Sequence, residues 1–350
     1  MVPVLDLSRR NARHHDAFLA AADRVLASGI VLLGPELARF EAAFADYTGY
    51  RHAIAVSSGS TALQLSLAAL GVGPGDEVIV PAHTAVPTAA AVCATGAVPV
   101  LVDVDRDTAT IDVDACRKAV TESTKAIMPV HLYGRPSQLP DLGLPIVEDA
   151  AQAHGALHHT ALTATACYSF YPTKNLGGIG DGGAIVTDDD EIAAHIRRLR
   201  VHGMTPERMY FHVEISMNFR MSELEAAWLS LLLPSLDASN ARRREVARAY
   251  RAAAPQLRWQ ADHPQHVHHL AVFRTDRRDG VRSELQARDI ATAVHYPLAV
   301  TQQPAYAKFA RDRCPEAMLW AAECVTVPCF PEISDEEVDL VCKALSELEA

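Results

Sequence analysis

Apolar and polar positions along the chain follow two rhythms: short, nearly continuous apolar runs, and longer stretches in which apolar residues return every three or four positions. Residues 77–81, 98–102, 126–130 and 145–147 are runs of the first kind and predict buried strands, as do 168–170 and 184–187. Residues 60–70, 87–94, 115–120, 191–200 and 222–233 predict helices between them. This βαβ alternation predicts an α/β protein on a mostly parallel sheet. Residues 78–102 contain no Asp, Glu, Lys or Arg and are long enough to cross a bilayer. Pro81, Pro87, Gly96 and Pro99 break that stretch into strand, turn, helix and strand. Residues 237–254 predict a long helix leaving the main domain, with the arginines at 242, 243, 244, 248 and 251 as a solvated face. From residue 255 short strands and two helices, 281–288 and 335–348, take over. The expected organisation is a large domain over 1–240, whose N-terminal segment can pack on a smaller α+β domain over 241–350.

Composition narrows the function classes. The net charge of −11 provides no global positive field for nucleic acid or anionic membrane. The cysteines at 93, 116, 167, 314, 324, 329 and 342 are odd in number and scattered, with no Cys-x-x-Cys pair. They suggest neither a disulfide framework nor a zinc clip, and the first residues lack a signal-peptide pattern, so a cytoplasmic protein is expected. His263, His266, His268 and His269 cluster in sequence, but without metal-ligand spacing they read as structural, and no metal is expected.

The candidate chemistry gathers around Lys174, which lies between a predicted strand and the glycine-rich loop 177–183. Asp149 ends an apolar strand, and Ser169 offers a hydroxyl between the two. Ser57-Ser58-Gly59 opens the 60–70 helix, so Ser60, Thr61 and Ala62 occupy its positive N-terminal end. A lysine amine to hold an aldehyde, a carboxylate to keep a pyridine nitrogen protonated and a helix N-terminus to hold a phosphate are what pyridoxal phosphate requires. Glu148 points to the opposite side of the strand from Asp149 and reads as structural.

With these motifs in order, the chain resembles the DegT/DnrJ/EryC1/StrS family of pyridoxal-phosphate-dependent sugar aminotransferases, of aspartate-aminotransferase-like fold type I. The resemblance runs through 30–36, Phe40-Glu41, Ser58-Gly59-Ser60-Thr61-Ala62-Leu63, Gly75-Asp76-Glu77-Val78 and His131-Leu132-Tyr133-Gly134. It continues through residues 148–155, the lysine motif 169–178, Asn218-Phe219-Arg220-Met221 and His295-Tyr296-Pro297. It implies Lys174 as the lysine joined to the cofactor, Asp149 as partner of the pyridine nitrogen and Gln152 near the ring. It places Ser169 and Thr61 at the phosphate, together with Asn218 from the other subunit of a homodimer with shared sites. It further implies an amino donor such as L-glutamate and, as acceptor, a nucleotide-linked keto sugar, a 3-keto or 4-keto deoxysugar.

Two departures from the family pattern stand out. Thr84 is followed by Ala85, where the family places an aromatic against the cofactor ring; His83 nearby offers a planar face instead, or is a hydrogen-bonded core histidine. The segment 155–167 is shorter than usual for the family. Tyr296, Arg220, His131 and residues 202–217 are candidates for lining a sugar pocket, with structural roles as the alternative. A sugar dehydratase, a cyclitol or aminohydroxybenzoate-type aminotransferase and a regulatory protein on the same fold remain rival functions. In the sugar dehydratases a histidine replaces the lysine, which Lys174 argues against.

Overall fold

The computed structural model describes residues 1–156, 160–205 and 208–349. Seven strands, β1 (His52–Val56), β2 (Glu77–Pro81), β3 (Val98–Val102), β4 (Thr124–Ile127), β5 (Ile146–Asp149), β6 (Thr163–Ser169) and β7 (Gly183–Thr187), form one sheet. Its order is β1-β7-β6-β5-β4-β2-β3. β7 runs antiparallel to both neighbours, and the pairs from β6 across to β3 are parallel. The helices are α1 (Leu7–Ser28), α2 (Pro35–Thr48), α3 (Gly59–Ala69), α4 (Pro87–Ala94), α5 (Val113–Ala119), α6 (Asp190–Leu199), α7 (Glu223–Leu232), α8 (Leu236–Ala253), α9 (Arg278–Gln286), α10 (Pro315–Glu323) and α11 (Asp335–Ser346).

Side chains alternate across the sheet, and both faces are covered, as a mainly parallel sheet requires. Ile54, Val56, Val78, Val80, Val147, Cys167 and Ile185 pack with Leu63, Leu67, Ala89 and Val92 of α3 and α4. Ala53, Ala55, Ala166, Tyr168, Ala184 and Val186 face Phe40, Phe44, Trp228 and Leu229 of α2 and α7. Which chemistry meets which face is therefore decided by the parity of each strand residue.

α1 and α2 lie outside the elements expected from the sequence. α1 buries only Ala21 and Val25, too sparse a stripe to stand out. Phe18 meets the Trp228 ring edge-on with centroids 5.2 Å apart, which seats the helix on α7. α2 starts with Pro35, and the Glu223 carboxylate accepts hydrogen bonds from the backbone N–H groups of Gly34, Glu36 and Leu37 at 2.8–3.1 Å. That satisfies three of the donors a helix start leaves open and sets a negative charge at its positive end.

A second, antiparallel sheet of β8 (Arg258–Trp259), β9 (Ala271–Arg274) and β10 (Cys324–Val327) shares a separate core with α8, α9 and α11, built on Val246, Tyr250, Phe273, Val325, Val341 and Leu345. Val2 belongs to the same core; its N–H donates to Asp289 O at 2.7 Å and its carbonyl accepts from Ala291 N at 2.9 Å. The arginines of α8 are not all on a solvated face. Arg243 is buried, and its Nη1 donates to the carbonyl oxygens of His268, His269 and Cys329 at 3.5, 3.4 and 2.5 Å. Among the described residues no helix is long and apolar enough to cross a membrane.

Candidate active site

Val147 and Cys167 face the α3–α4 side of the sheet, so Asp149 and Ser169, two residues further along parallel neighbours, emerge on that side at the carboxyl ends of β5 and β6. This is where an open α/β sheet leaves a crevice. Asp149 is buried. Its Oδ2 accepts from Thr88 Oγ1 in α4 at 2.8 Å, and its Oδ1 accepts from Ala151 N at 3.2 Å. Burial pushes its carboxyl up from the ordinary value, while these two donors, then Lys174 and His131, pull it back down.

Lys174 sits in the turn after β6, with its N–H donating to Tyr171 O at 2.8 Å. Three groups hold that turn. Gly178 N donates to Phe170 O at 2.7 Å, Trp228 Nε1 donates to Gly177 O at 3.0 Å, and the Arg10 guanidinium reaches the carbonyls of Pro172, Gly177 and Gly178 at 2.9, 3.0 and 3.1 Å. Burial lowers the Lys174 ammonium from 10.5 to about 8, with the Asp149 charge opposing the shift.

The N-terminus of α3 closes another side. Ser58 caps it, its Oγ accepting from Thr61 N at 3.1 Å, and the Thr61 hydroxyl lies 2.9 Å from Ser58 Oγ and 3.1 Å from Ser57 Oγ. A Cβ on Gly59 would stand 2.6 Å from Ser169 Cβ, and one on Gly183 would stand 2.4 Å from the Ser58 carbonyl. Only glycine permits that approach, which brings the first-turn N–H groups beside the Ser169 hydroxyl. Ser60 stands exposed at the tip. Ala62 is a correction: its N–H is taken by Ser58 O at 3.0 Å and its methyl is sealed in the core, so it has nothing to offer a ligand.

Gln152 bridges two aromatic residues. Its Oε1 accepts from Tyr133 N at 2.6 Å and its Nε2 donates to Tyr296 Oη at 3.1 Å. A cavity of about 280 Å³ joins Lys174 to Leu5, Arg243, His269, His295 and Tyr296. A second, of about 350 Å³, reaches Lys174 past Arg10, Arg13, His14, Arg242 and Glu332.

His83 is the other correction. Its Nε2 is 2.8 Å from Tyr133 Oη, its ring faces Trp320 with centroids 6.2 Å apart, and burial pushes it down to about 3. The fully buried ring is committed to the core by Tyr133 and Trp320, which leaves it no free face to replace the aromatic missing at Ala85. His131 and Glu148 form an internal pair behind β5. Ser137 N donates to His131 Nδ1 at 2.9 Å, so Nε2 carries the proton and donates to Glu148 Oε2 at 2.7 Å, while Thr163 Oγ1 donates to Oε1. Asn218 is exposed on an outer loop, bonded to Arg220 Nε at 2.8 Å, and lines neither cavity within its own chain. Parts of 155–167 and 202–217, namely residues 157–159 and 206–207, lie outside the described residues.

The cavity linings include residues that the sequence does not single out, among them Arg243, expected on a solvated face, Arg10, and His269, grouped with the other histidines. His266 and His268 stack on each other at 3.7 Å, whereas His269 turns towards Lys174. Its only local signal is that it adjoins a strand.

The family model of the DegT/DnrJ/EryC1/StrS aminotransferase family matches residues 13–346. The chain is 44% identical over 364 residues to a dTDP-3-amino-3,4,6-trideoxy-alpha-D-glucose transaminase of Streptomyces venezuelae, covering 99% of this chain and 96% of that one. Among solved structures, S. venezuelae DesV in complex with a ketimine intermediate superposes with a TM-score of 0.94 at 43% identity, over 99% and 98% of the two chains. NtdA from Bacillus subtilis, with bound cofactor PMP, gives a TM-score of 0.92 at 30% identity, over 98% of this chain and 84% of that one.

Proposed function

This chain belongs to the DegT/DnrJ/EryC1/StrS aminotransferase family and is a pyridoxal-phosphate-dependent aminotransferase; we propose that it moves an amino group from L-glutamate to C3 of a nucleoside-diphosphate-linked keto deoxysugar. One observation carries the reading: a half-buried lysine whose ammonium is lowered to about 8 shares the crevice with a buried carboxylate and a glycine-fitted helix N-terminus. The transaminase name of the S. venezuelae relative supports the nucleotide sugar and the carbon.

The residues present fit the cofactor. Lys174 Nζ would hold its aldehyde carbon, Asp149 its pyridine nitrogen, and Ser169, Thr61, Ser60 and the Gly59 and Ser60 N–H groups its phosphate. When bound, the cofactor supplies an amino-group carrier and an electron sink. Because Asp149 already accepts from Thr88 and Ala151, its charge is fixed in direction and its remaining lone pairs are presented without reorganisation. Lys174 near 8 is neutral in a substantial fraction of molecules at neutral to mildly alkaline pH, so Nζ can take a proton from one carbon and return it to another. Gln152, locked between Tyr133 and Tyr296, holds the wall of the crevice in place.

The proposal includes a homodimer in which Asn218 of the partner subunit completes the phosphate site. Ile30, Val31, Leu33, Phe211, Ile215 and Met217 are large apolar side chains left exposed, and they support a partner surface on that side. It also divides the chain near residue 240, within α8, whose Leu236 packs with the large sheet while Val246 and Tyr250 pack with the small one.

The test is incubation of the purified protein with pyridoxal phosphate, L-glutamate and a dTDP-linked 3-keto-6-deoxysugar, with the products separated by mass. Formation of the amino sugar together with 2-oxoglutarate is expected. Release of 2-oxoglutarate with no keto sugar aminated would reject the acceptor.

A further inference from the structure

His269 lies beside Lys174, yet the lysine–carboxylate pair and the phosphate cradle leave it without a task. Its Nδ1 is 3.1 Å from Oδ1 of Asn175, the residue after the lysine. A chain of amides determines which atom carries the proton. Asn240 Nδ2 donates to His154 O at 2.8 Å, so Asn240 Oδ1 is the acceptor for Asn175 Nδ2 at 2.8 Å, and Asn175 Nδ2 also reaches Val267 O at 3.1 Å. Asn175 therefore turns its oxygen to His269, Nδ1 bears the hydrogen, and Nε2 is left with a lone pair.

That nitrogen has no hydrogen-bond partner among the described residues and is not among the sealed, unpartnered atoms of the interior. The ring lines the 280 Å³ cavity with Lys174, Arg243, His295 and Tyr296. Burial and the surrounding Lys174, Arg243, His295 and His154 all oppose a second proton, so the ring remains a neutral acceptor. Of the charged groups of the same cavity, Arg243 is a donor only, and Lys174 is one whenever it carries its proton. A ligand hydroxyl entering there needs an acceptor, and His269 Nε2 supplies one. A glutamate donor, whose carboxylates can only accept, gains nothing from it.

We propose that His269 is a specificity-determining residue whose Nε2 accepts a hydrogen bond from a hydroxyl of the keto sugar beside Lys174. This rests on the acceptor reading above. Two variants separate the functions of the ring: His269→Asn keeps a donor for Asn175 Oδ1 but removes the Nε2 acceptor, and His269→Gln places an oxygen near Nε2. His269→Asn should raise KM for the keto sugar roughly 10- to 100-fold, because a buried hydroxyl is left unpaired. The glutamate half-reaction, followed by the cofactor absorbance, should stay within about twofold, and His269→Gln should recover most of the loss. An unchanged KM, or an equal slowing of both half-reactions, overturns the proposal.

Nitrogen-15 NMR of the holoenzyme supplies a readout independent of turnover. The signals lost in His269→Asn should belong to an imidazole protonated at Nδ1 alone from pH 6.5 to 8.5. An Nε2–H tautomer or an imidazolium overturns it. A wild-type enzyme that meets the NMR expectation but aminates no nucleotide-linked keto sugar rejects the substrate reading, and with it the hydroxyl named here, while leaving the acceptor atom established.

Discussion

Replacing Gly59 by alanine tests whether the start of α3 and the end of β6 form one anion cradle. The new Cβ would stand 2.6 Å from Ser169 Cβ and 3.1 Å from its Oγ. Carbon atoms rest at about 3.5–4.0 Å, so helix and strand must part by roughly 1 Å. The Ser169 hydroxyl and the first-turn N–H groups then no longer converge on one phosphate. Losing one hydrogen bond to a charged group costs about 1.5–3 kcal/mol, a weakening of about 10- to 150-fold in cofactor Kd. Overpacking costs about 1–3 kcal/mol of stability. Removal of a helical glycine returns about 0.5–1 kcal/mol. Gly280 in α9 is the control, because a Cβ there meets nothing within 4 Å, and Gly280→Ala should keep only the gain. Titration of the apo-protein with pyridoxal phosphate by absorbance, with urea unfolding alongside, measures both quantities. A folded Gly59→Ala protein that binds the cofactor within twofold of wild type would refute the cradle.

Because burial holds Lys174 near 8, attachment of pyridoxal phosphate to the apo-protein should accelerate about tenfold per pH unit below that value and level above it. A rate still climbing at pH 10 would return the lysine to its ordinary 10.5. The unfolded chain binds that proton more tightly than the folded one, so apo-protein stability should rise between pH 8 and 10.5 in urea titrations, and a flat profile contradicts the burial. Glu148→Leu orphans the donors of His131 and Thr163 and should cost about 2–5 kcal/mol in urea unfolding, with cofactor affinity of the folded fraction retained; lost affinity without lost stability would move Glu148 into the site. Mixing and reassorting Lys174→Ala with Asn218→Ala subunits should restore about a quarter of wild-type turnover, from the intact site in each mixed dimer, and no recovery from verified dimers rules out shared sites.

Much of the framework is written locally. The expected strands 77–81 and 98–102 and the helix 87–94 coincide with β2, β3 and α4, since each is a short apolar run bounded by proline, glycine or charge. The strand ending at Asp149 extends two residues past the expected 145–147, so the carboxylate lies within β5 rather than after it. Asp149 and Lys174 were legible because a polar residue at the end of an apolar strand, or between a strand and glycines, breaks the local pattern. His269, Arg243 and Arg10 break no pattern. Their positions come from contacts such as His269 to Asn175 and Arg10 to Gly177, which join segments far apart in sequence. His83 shows the converse: its neighbourhood in sequence pointed to the cofactor, but Tyr133 and Trp320, from distant segments, claim its ring.

The visible absorption of the purified protein, followed through three additions, tests the central claim most directly. Pyridoxal phosphate should raise a band that Lys174→Ala lacks, L-glutamate should remove it, and a dTDP-linked 3-keto sugar should bring it back. A band that never forms, or one that forms and ignores every amino donor, would contradict the assignment of this crevice as an aminotransferase site.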